Sequence, residues 1–542
     1  MSPFLGRRSF LLNTTALLAA PFAPLVHAAD TTEPLADTQY GKVRGSVSGD
    51  IKVFKGIPYG ASTTGKNRFM PPVKPAAWTG VRDALAWGPT APQTSAPQSG
   101  APSGRGAGRG NRPAESEDCL VINVFTPSLA PSAKRPVMVW LHGGGFSTGS
   151  GSGANTDGTN LAQSGDIVVV SLNHRLNVLG FTYLGEQAGS DFALSGSIGL
   201  LDIVQALQWV RDNIASFGGD PNLVTIFGQS GGGRKVSTLM SMPSAQGLFH
   251  RAIVESGAVL RLKTPDEGIL YSNLLLAELG LRKDQARDLQ SVPLDRLLAA
   301  NAAALKKTDQ TAPGYTPNTP IVDGKAIPIH PWDPTAPAIS AKIPLLIGWA
   351  RTEETLYDRP TPETLALDEA GLKARAAKRL GIDPTPVIDV YRKAHPEASP
   401  WDLYILIATD HPRGVYSREL ARRKVAQASG AAYLYRFDWE TPEGGGHMRS
   451  PHAVEVPFVF HNISVAGALI SKRPDAHALS EKISAAWVAF ARTGNPNTKG
   501  LPNWPAYSAA TRDTMLFNNE LRVEQDPDKA PRQIMEKVLK LT

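Results

Sequence analysis

Two segments of the chain, 137–141 and 167–172, carry apolar side chains at nearly every position. A strand with one wet face alternates apolar and polar residues, so an unbroken run predicts a strand covered on both faces, as in a parallel sheet between helices. Leu223-Val224-Thr225-Ile226-Phe227 is a third such run. Between the second and third, Leu200, Val204, Leu207, Val210, Ile214 and Phe217 recur three or four residues apart, the period of a helix with one buried face; Gly218-Gly219-Asp220-Pro221 ends it. Strand, helix, strand in this order predicts parallel strands joined by a right-handed crossover. Further strands are expected at 252–254, 344–347 and 433–437, and helices at 364–380 and 401–408. Short β-rich stretches at 42–47 and 51–54, separated by turns, predict an antiparallel start. The expected fold class is α/β: a large, mostly parallel central sheet with helices on both faces and an antiparallel N-terminal start.

Composition adds bounds. With 542 residues, 42% hydrophobic and 19% charged, the chain can bury a large core, and one large α/β domain over residues 29–542 accommodates it. The net charge of +7 comes from 56 basic and 49 acidic residues scattered along the chain, a pattern that does not indicate nucleic-acid binding. Arg7-Arg8 precede an uncharged stretch that closes on Val26-His27-Ala28, resembling a twin-arginine export signal over residues 1–28. Asn13, Thr14, Thr15, Pro21 and Pro24 interrupt that stretch, which argues for a cleaved signal over a membrane anchor and places the mature chain in the periplasm or medium. No other segment is expected to span a bilayer. Cys119 is the only cysteine, so no intramolecular disulfide forms, and a buried apolar role is expected for it. Residues 91–112, rich in Gly, Pro, Ser and Ala, are expected to form a solvated, mobile loop.

The chemistry gathers around Gly228-Gln229-Ser230-Gly231-Gly232, a G-x-S-x-G pentapeptide between the third apolar run and a helical stretch that includes 235–240. In that setting the serine occupies a tight strand-to-helix turn with its hydroxyl exposed, and side chains two residues to either side would collide with neighbouring backbone. A serine hydroxyl is a poor nucleophile at neutral pH and needs a base, and the base needs an orienting group. Downstream, His452 follows a turn-rich loop and precedes an apolar run, whereas His447 lies after three glycines and reads as exposed and idle. Glu353 and its neighbour Glu354 lie just past the strand that ends near Gly348. His142-Gly143-Gly144-Gly145-Phe146 follows the run at 137–141; the amides of Gly144 and Gly145, with that of Gly231, offer donors for the oxyanion of a tetrahedral intermediate. No metal or cofactor is expected.

The chain resembles the type-B carboxylesterases, the carboxylesterase and cholinesterase-like family of the α/β-hydrolase fold, over almost all of its mature length. Phe54-Lys55-Gly56-Ile57-Pro58-Tyr59 and Glu117-Asp118-Cys119-Leu120-Val121-Ile122-Asn123-Val124 are similar to two family segments, and Phe217-Gly218-Gly219-Asp220-Pro221 to the one before the family nucleophile. Trp487, Phe490-Ala491-Arg492-Thr493-Gly494-Asn495-Pro496 and Trp504-Pro505 extend the match. The resemblance implies Ser230 as nucleophile. It implies Glu353 as acid, five residues after Gly348, and His452 as base, three before Glu455 and six before Phe458. It further implies hydrolysis of a small-molecule ester through an acyl-enzyme. A lactone, thioester or amide substrate and, more remotely, a non-catalytic binding module are the alternatives. Three departures stand out: Gln229 replaces the family's glutamate, Ala91 replaces a cysteine that pairs with the one at 119, and no aromatic residue lies within 91–117, which argues against a choline ester.

Overall fold

The computed structural model describes residues 33–93, 113–311, 318–465, 470 and 473–541, and the span Pro34–Thr542 forms one compact unit. The expected signal at 1–28 and residues 94–112 of the expected loop lie outside the described residues. Ala91, Pro92 and Gln93, where that loop was expected to begin, are buried. The Gln93 side chain donates to Gly149 O at 3.0 Å and accepts from Gly149 N at 2.9 Å, which anchors them.

The strands β1 (Leu35–Thr38) and β2 (Gly41–Arg44) pair antiparallel, as do β3 (Ser46–Ser48) and β4 (Ile51–Pro58), and β5 (Val81–Asp83) runs parallel to β2. The expected strand at 42–47 is therefore divided at Gly45, where the chain passes from a small sheet into the large one. Into the large sheet follow β6 (Val121–Thr126), β7 (Arg135–Leu141), β8 (Val168–Leu172), β9 (Gly219–Gln229) and β10 (Arg251–Glu255). It is completed by β11 (Leu345–Ala350), β12 (Ala432–Phe437), β13 (Asp513–Phe517) and β14 (Arg522–Gln525). The eleven strands lie in the order β14-β13-β12-β11-β10-β9-β7-β8-β6-β4-β3. Neighbours from β8 to β13 are parallel, and the strands beyond both of these are antiparallel. This is the α/β-hydrolase architecture, with the expected antiparallel start.

The unbroken apolar runs have the predicted cause. Along β7, Val137, Val139 and Leu141 pack in one core layer with Leu200, Ile203, Leu207 and Val210 of the helix Ile198–Asn213. Met138 and Trp140 point the other way, into a layer with Ile483, Trp487 and Phe490 of the helix Pro474–Thr493. Both faces of each central strand are thus removed from water, at about 1.5–3 kcal/mol for each large apolar side chain. Apolarity of this density also gives the stretch Ser190–Phe217 the length and composition of a membrane span, contrary to expectation, but most of it is buried in the core. Cys119 is fully buried, as expected, and burial pushes its thiol far up. The helix expected at 364–380 is two, Pro362–Leu365 and Glu369–Leu380: the Asp368 carboxylate accepts from Gly371 N at 2.7 Å and starts a new helix there.

Candidate active site

In an open parallel sheet the carboxyl ends of the strands are where ligands bind, because the connecting loops converge there. All the candidate residues lie at those ends. Ser230 follows β9, the glycine loop follows β7, Glu353 follows β11, and His452 stands on the long connection after β12. Register holds the first of these ends level, with Gly228 pairing with both Leu141 and Val254.

Ser230 occupies a strained backbone position, φ 59° and ψ −121°, directly before the helix Gly231–Leu239. The turn is secured by Ser230 N donating to Glu255 O at 2.8 Å and Arg234 N donating to Ser230 O at 2.9 Å. Its flanks must be glycine: a Cβ on Gly228 would stand 2.5 Å from Leu141 O, and one on Gly232 would overlap the same oxygen. Gly231, chosen from the sequence for its amide, is also sterically required, since a Cβ there would overlap the carbonyl of Gly145. That contact places the glycine loop against the start of the helix Gly231–Leu239. Gly144 and Gly145 hold φ of 85° and 65°, and Gly144 O accepts from Thr148 N at 3.1 Å, which folds the loop on itself. Among the described residues, the N–H groups of Gly144, Gly145 and Gly231 donate to no protein acceptor. These are the three amides expected to form an oxyanion hole.

One support was not legible in the sequence. Lys235, fully buried on the helix that follows Ser230, donates from Nζ to His142 O at 2.8 Å, tying that helix to the first residue of the glycine loop. Burial pulls its ammonium down to about 7. Burial, and then Lys235, also holds the stacked imidazoles of His142 and His174, 4.9 Å apart, well below their usual value, so both are neutral at neutral pH.

Glu353 and His452 meet. The His452 Nδ1–H donates to Glu353 Oε2, Glu353 Oε1 accepts from Ala350 N at 2.8 Å, and the carboxylate is fully buried. The two loops that carry them are clamped by Ser450, whose N–H donates to Thr352 Oγ1 at 2.8 Å and whose hydroxyl donates to Phe437 O at 2.7 Å. Burial alone would raise the Glu353 carboxyl, but the facing imidazole and Arg413 outweigh it and hold it below the usual carboxylate value. Burial dominates at His452 and lowers it, against the pull of Glu353. Glu354 turns away into ion pairs with Arg413 and Arg379, and His447 is exposed, so neither competes. The Gln229 amide nitrogen stands 3.3 Å from Nδ1 and 3.4 Å from Nε2 of His452, which puts the ring beside the residue preceding Ser230. Ser230 itself is half-buried, and its hydroxyl makes no hydrogen bond among the described residues. Glu353 and His452 are in contact, whereas no hydrogen bond joins Ser230 to the imidazole in this conformation; bonds of that kind commonly close only around substrate.

Beneath the site lie two more buried carboxylates. Glu255 accepts from Trp487 Nε1 at 2.8 Å and Glu455 from Ser256 Oγ at 3.2 Å, while the second oxygen of each has no partner. Burial pushes Glu255 from 4.5 up to about 7, and burial with the neighbouring carboxylates Glu353 and Glu255 pushes Glu455 well up. Between those two values for Glu255 the folded state holds a proton that the unfolded chain releases. This stability is complete below about pH 4.5 and is lost as the pH rises to about 7. Glu255→Gln removes that loss, on the order of 3 kcal/mol at most. Its denaturant midpoint should rise relative to the unsubstituted chain between pH 5 and pH 7; a constant difference would refute the assignment.

Known proteins of similar sequence and fold are carboxylesterases and related ester hydrolases. The sequence matches the carboxylesterase family model over residues 32–535. It is 38% identical to the para-nitrobenzyl esterase of Bacillus subtilis (strain 168), covering 93% of this chain and 98% of the relative. It is 33% identical to the phenmedipham hydrolase of Pseudarthrobacter oxydans, covering 90% and 96%. Among solved structures, the Geobacillus stearothermophilus carboxylesterase EST55 superposes with a TM-score of 0.80 at 37% identity, covering 92% of this chain and 99% of that one.

Proposed function

Because the chain belongs to the carboxylesterase family and is a carboxylic ester hydrolase acting on small-molecule esters, we propose that its chemistry runs through Ser230, His452 and Glu353. Ser230 Oγ attacks the ester carbonyl carbon while His452 Nε2 takes the hydroxyl proton. Glu353 holds the imidazole in the tautomer that leaves Nε2 free, and it offsets the imidazolium charge. The carbonyl oxygen, now negative, accepts from the amides of Gly144, Gly145 and Gly231. The bond to the alcohol oxygen breaks and His452 gives that oxygen its proton. Water then attacks the acyl-serine, its proton passes to His452, and collapse returns a proton to Ser230 Oγ and frees the acid. The observation that carries the reading is the buried Glu353–His452 contact, reached across 99 residues of sequence, above a serine turn flanked by unspent amides.

A pH profile tests it. An imidazolium accepts no proton, so kcat/KM falls as the pH drops through the His452 pKa, and burial places that midpoint below the ordinary 6.5. A measured acid limb centred above 6.5 would contradict the assignment.

Export is also inferred, from Arg7-Arg8, the uncharged stretch behind them and Val26-His27-Ala28. Intact mass of the exported protein should then begin at Ala29.

A further inference from the structure

Arg234, in the first turn of the helix Gly231–Leu239, lies one turn above Ser230, to whose carbonyl oxygen its N–H donates at 2.9 Å. Its guanidinium forms no hydrogen bond and no ion pair among the described residues. The ionisable groups whose charge acts on it are Arg413 and Tyr357. The Arg413 guanidinium lies 5.0 Å from the Tyr357 ring, and that ring lies 5.4 Å from the imidazole of His452. Arg413, itself ion-paired with Glu354, is thus a second cation acting on Arg234 from the edge of the catalytic base.

Among the described residues, the acids that these cations and their neighbours contact are already engaged. Glu354 is shared between Arg413 and Arg379, Asp358 is held by Arg375 at 2.5 Å, and Glu353 is engaged by His452. Burial and the neighbouring Arg413 pull Arg234 below its usual value, the direction expected of a desolvated cation without a partner. Half-buried, it is still reached from solvent, and its planar fork matches a carboxylate with two parallel N–H···O bonds.

We propose that Arg234, seconded by Arg413, is a substrate-binding site for a carboxylate, and that the enzyme selects esters carrying a free carboxylate over neutral ones. This deepens the serine-esterase reading and rests on it. The carboxylate belongs either to the acyl part, as in a monoester of a dicarboxylic acid, or to the alcohol part, as in an ester of a hydroxybenzoate. Binding such a group gives Arg234 the anionic partner it lacks and offsets its repulsion by Arg413. Hydrolysis itself is unchanged, with one ester bond and one water consumed and acid and alcohol released.

The test compares each carboxylate ester with its methyl-capped neutral twin, on the acyl side (aryl hemiglutarate) and on the alcohol side (butyryl 3-hydroxybenzoate). The native enzyme is expected to favour the anionic member of at least one pair by about tenfold or more in kcat/KM, through KM, with the preference shrinking as salt is added. Arg234→Met should bring that ratio close to one, and Arg234→Lys should restore part of it, also serving if the methionine variant folds poorly. A ratio near one in the native enzyme, or a ratio unmoved by Arg234→Met, overturns the proposal. Failure of the serine reading looks different: Ser230→Ala would then retain hydrolysis of the neutral twins.

Discussion

Ser230→Ala is expected to lower kcat on a neutral aryl ester by about four to six orders of magnitude, as loss of a triad serine does in other hydrolases. Its fold should be unaffected. The hydroxyl makes no hydrogen bond among the described residues, so its removal leaves no buried group unpaired. The positive φ of 59° is as unfavourable for alanine as for serine, and the steric demands of the turn fall on Gly228, Gly231 and Gly232. Steady-state kinetics with a matched melting curve checks both halves. Activity within tenfold of native in a folded variant would remove Ser230 from the chemistry.

Glu353→Gln is expected to lower kcat by about 10⁴ without unfolding the chain, by analogy with amide replacement of a triad carboxylate. The amide fills the same space and keeps an oxygen for Ala350 N, 2.8 Å away. What it loses is the anion that fixes Nδ1 as the protonated nitrogen and offsets the imidazolium. Glu354→Gln is the control. That carboxylate bonds Arg379 and Arg413 and does not touch His452, so its loss should weaken stability far more than kcat. If Glu354→Gln proved the more damaging to kcat, the acid would be misassigned.

Much of the fold was legible because the central strands are buried on both faces. Segments 137–141 and 167–172 announced β7 and β8 by being apolar throughout, and the helix between β8 and β9 by its period. The edges gave no such signal: β5, Val81-Arg82-Asp83, is wholly exposed, and β14, Arg522 to Gln525, is polar and at most half-buried, so neither carries an apolar pattern. In the site, the local motifs were readable because they depend on neighbouring residues. Ser230 and its glycines form one turn, and Gly144 and Gly145 another. Residues alone left His447 beside His452 and Glu354 beside Glu353, since spacing does not say which side chain faces inward; the family resemblance chose among them, and the fold brings Glu353 and His452 together. Lys235 and Arg234 were missed for a physical reason. A charged residue on a helix ordinarily faces solvent, whereas here Lys235 is buried against the glycine loop and Arg234 is half-buried.

The most direct test of the central claim is mass spectrometry of the native enzyme after reaction with a neutral p-nitrophenyl alkylphosphonate. Attack by Ser230 Oγ forms a serine–phosphorus bond and expels p-nitrophenolate. One equivalent of nitrophenolate should therefore appear per active chain, activity should fall in parallel, and the adduct should map to the peptide containing Ser230. Full loss of activity with Ser230 unmodified, or stoichiometric labelling of Ser230 with activity intact, would contradict the account.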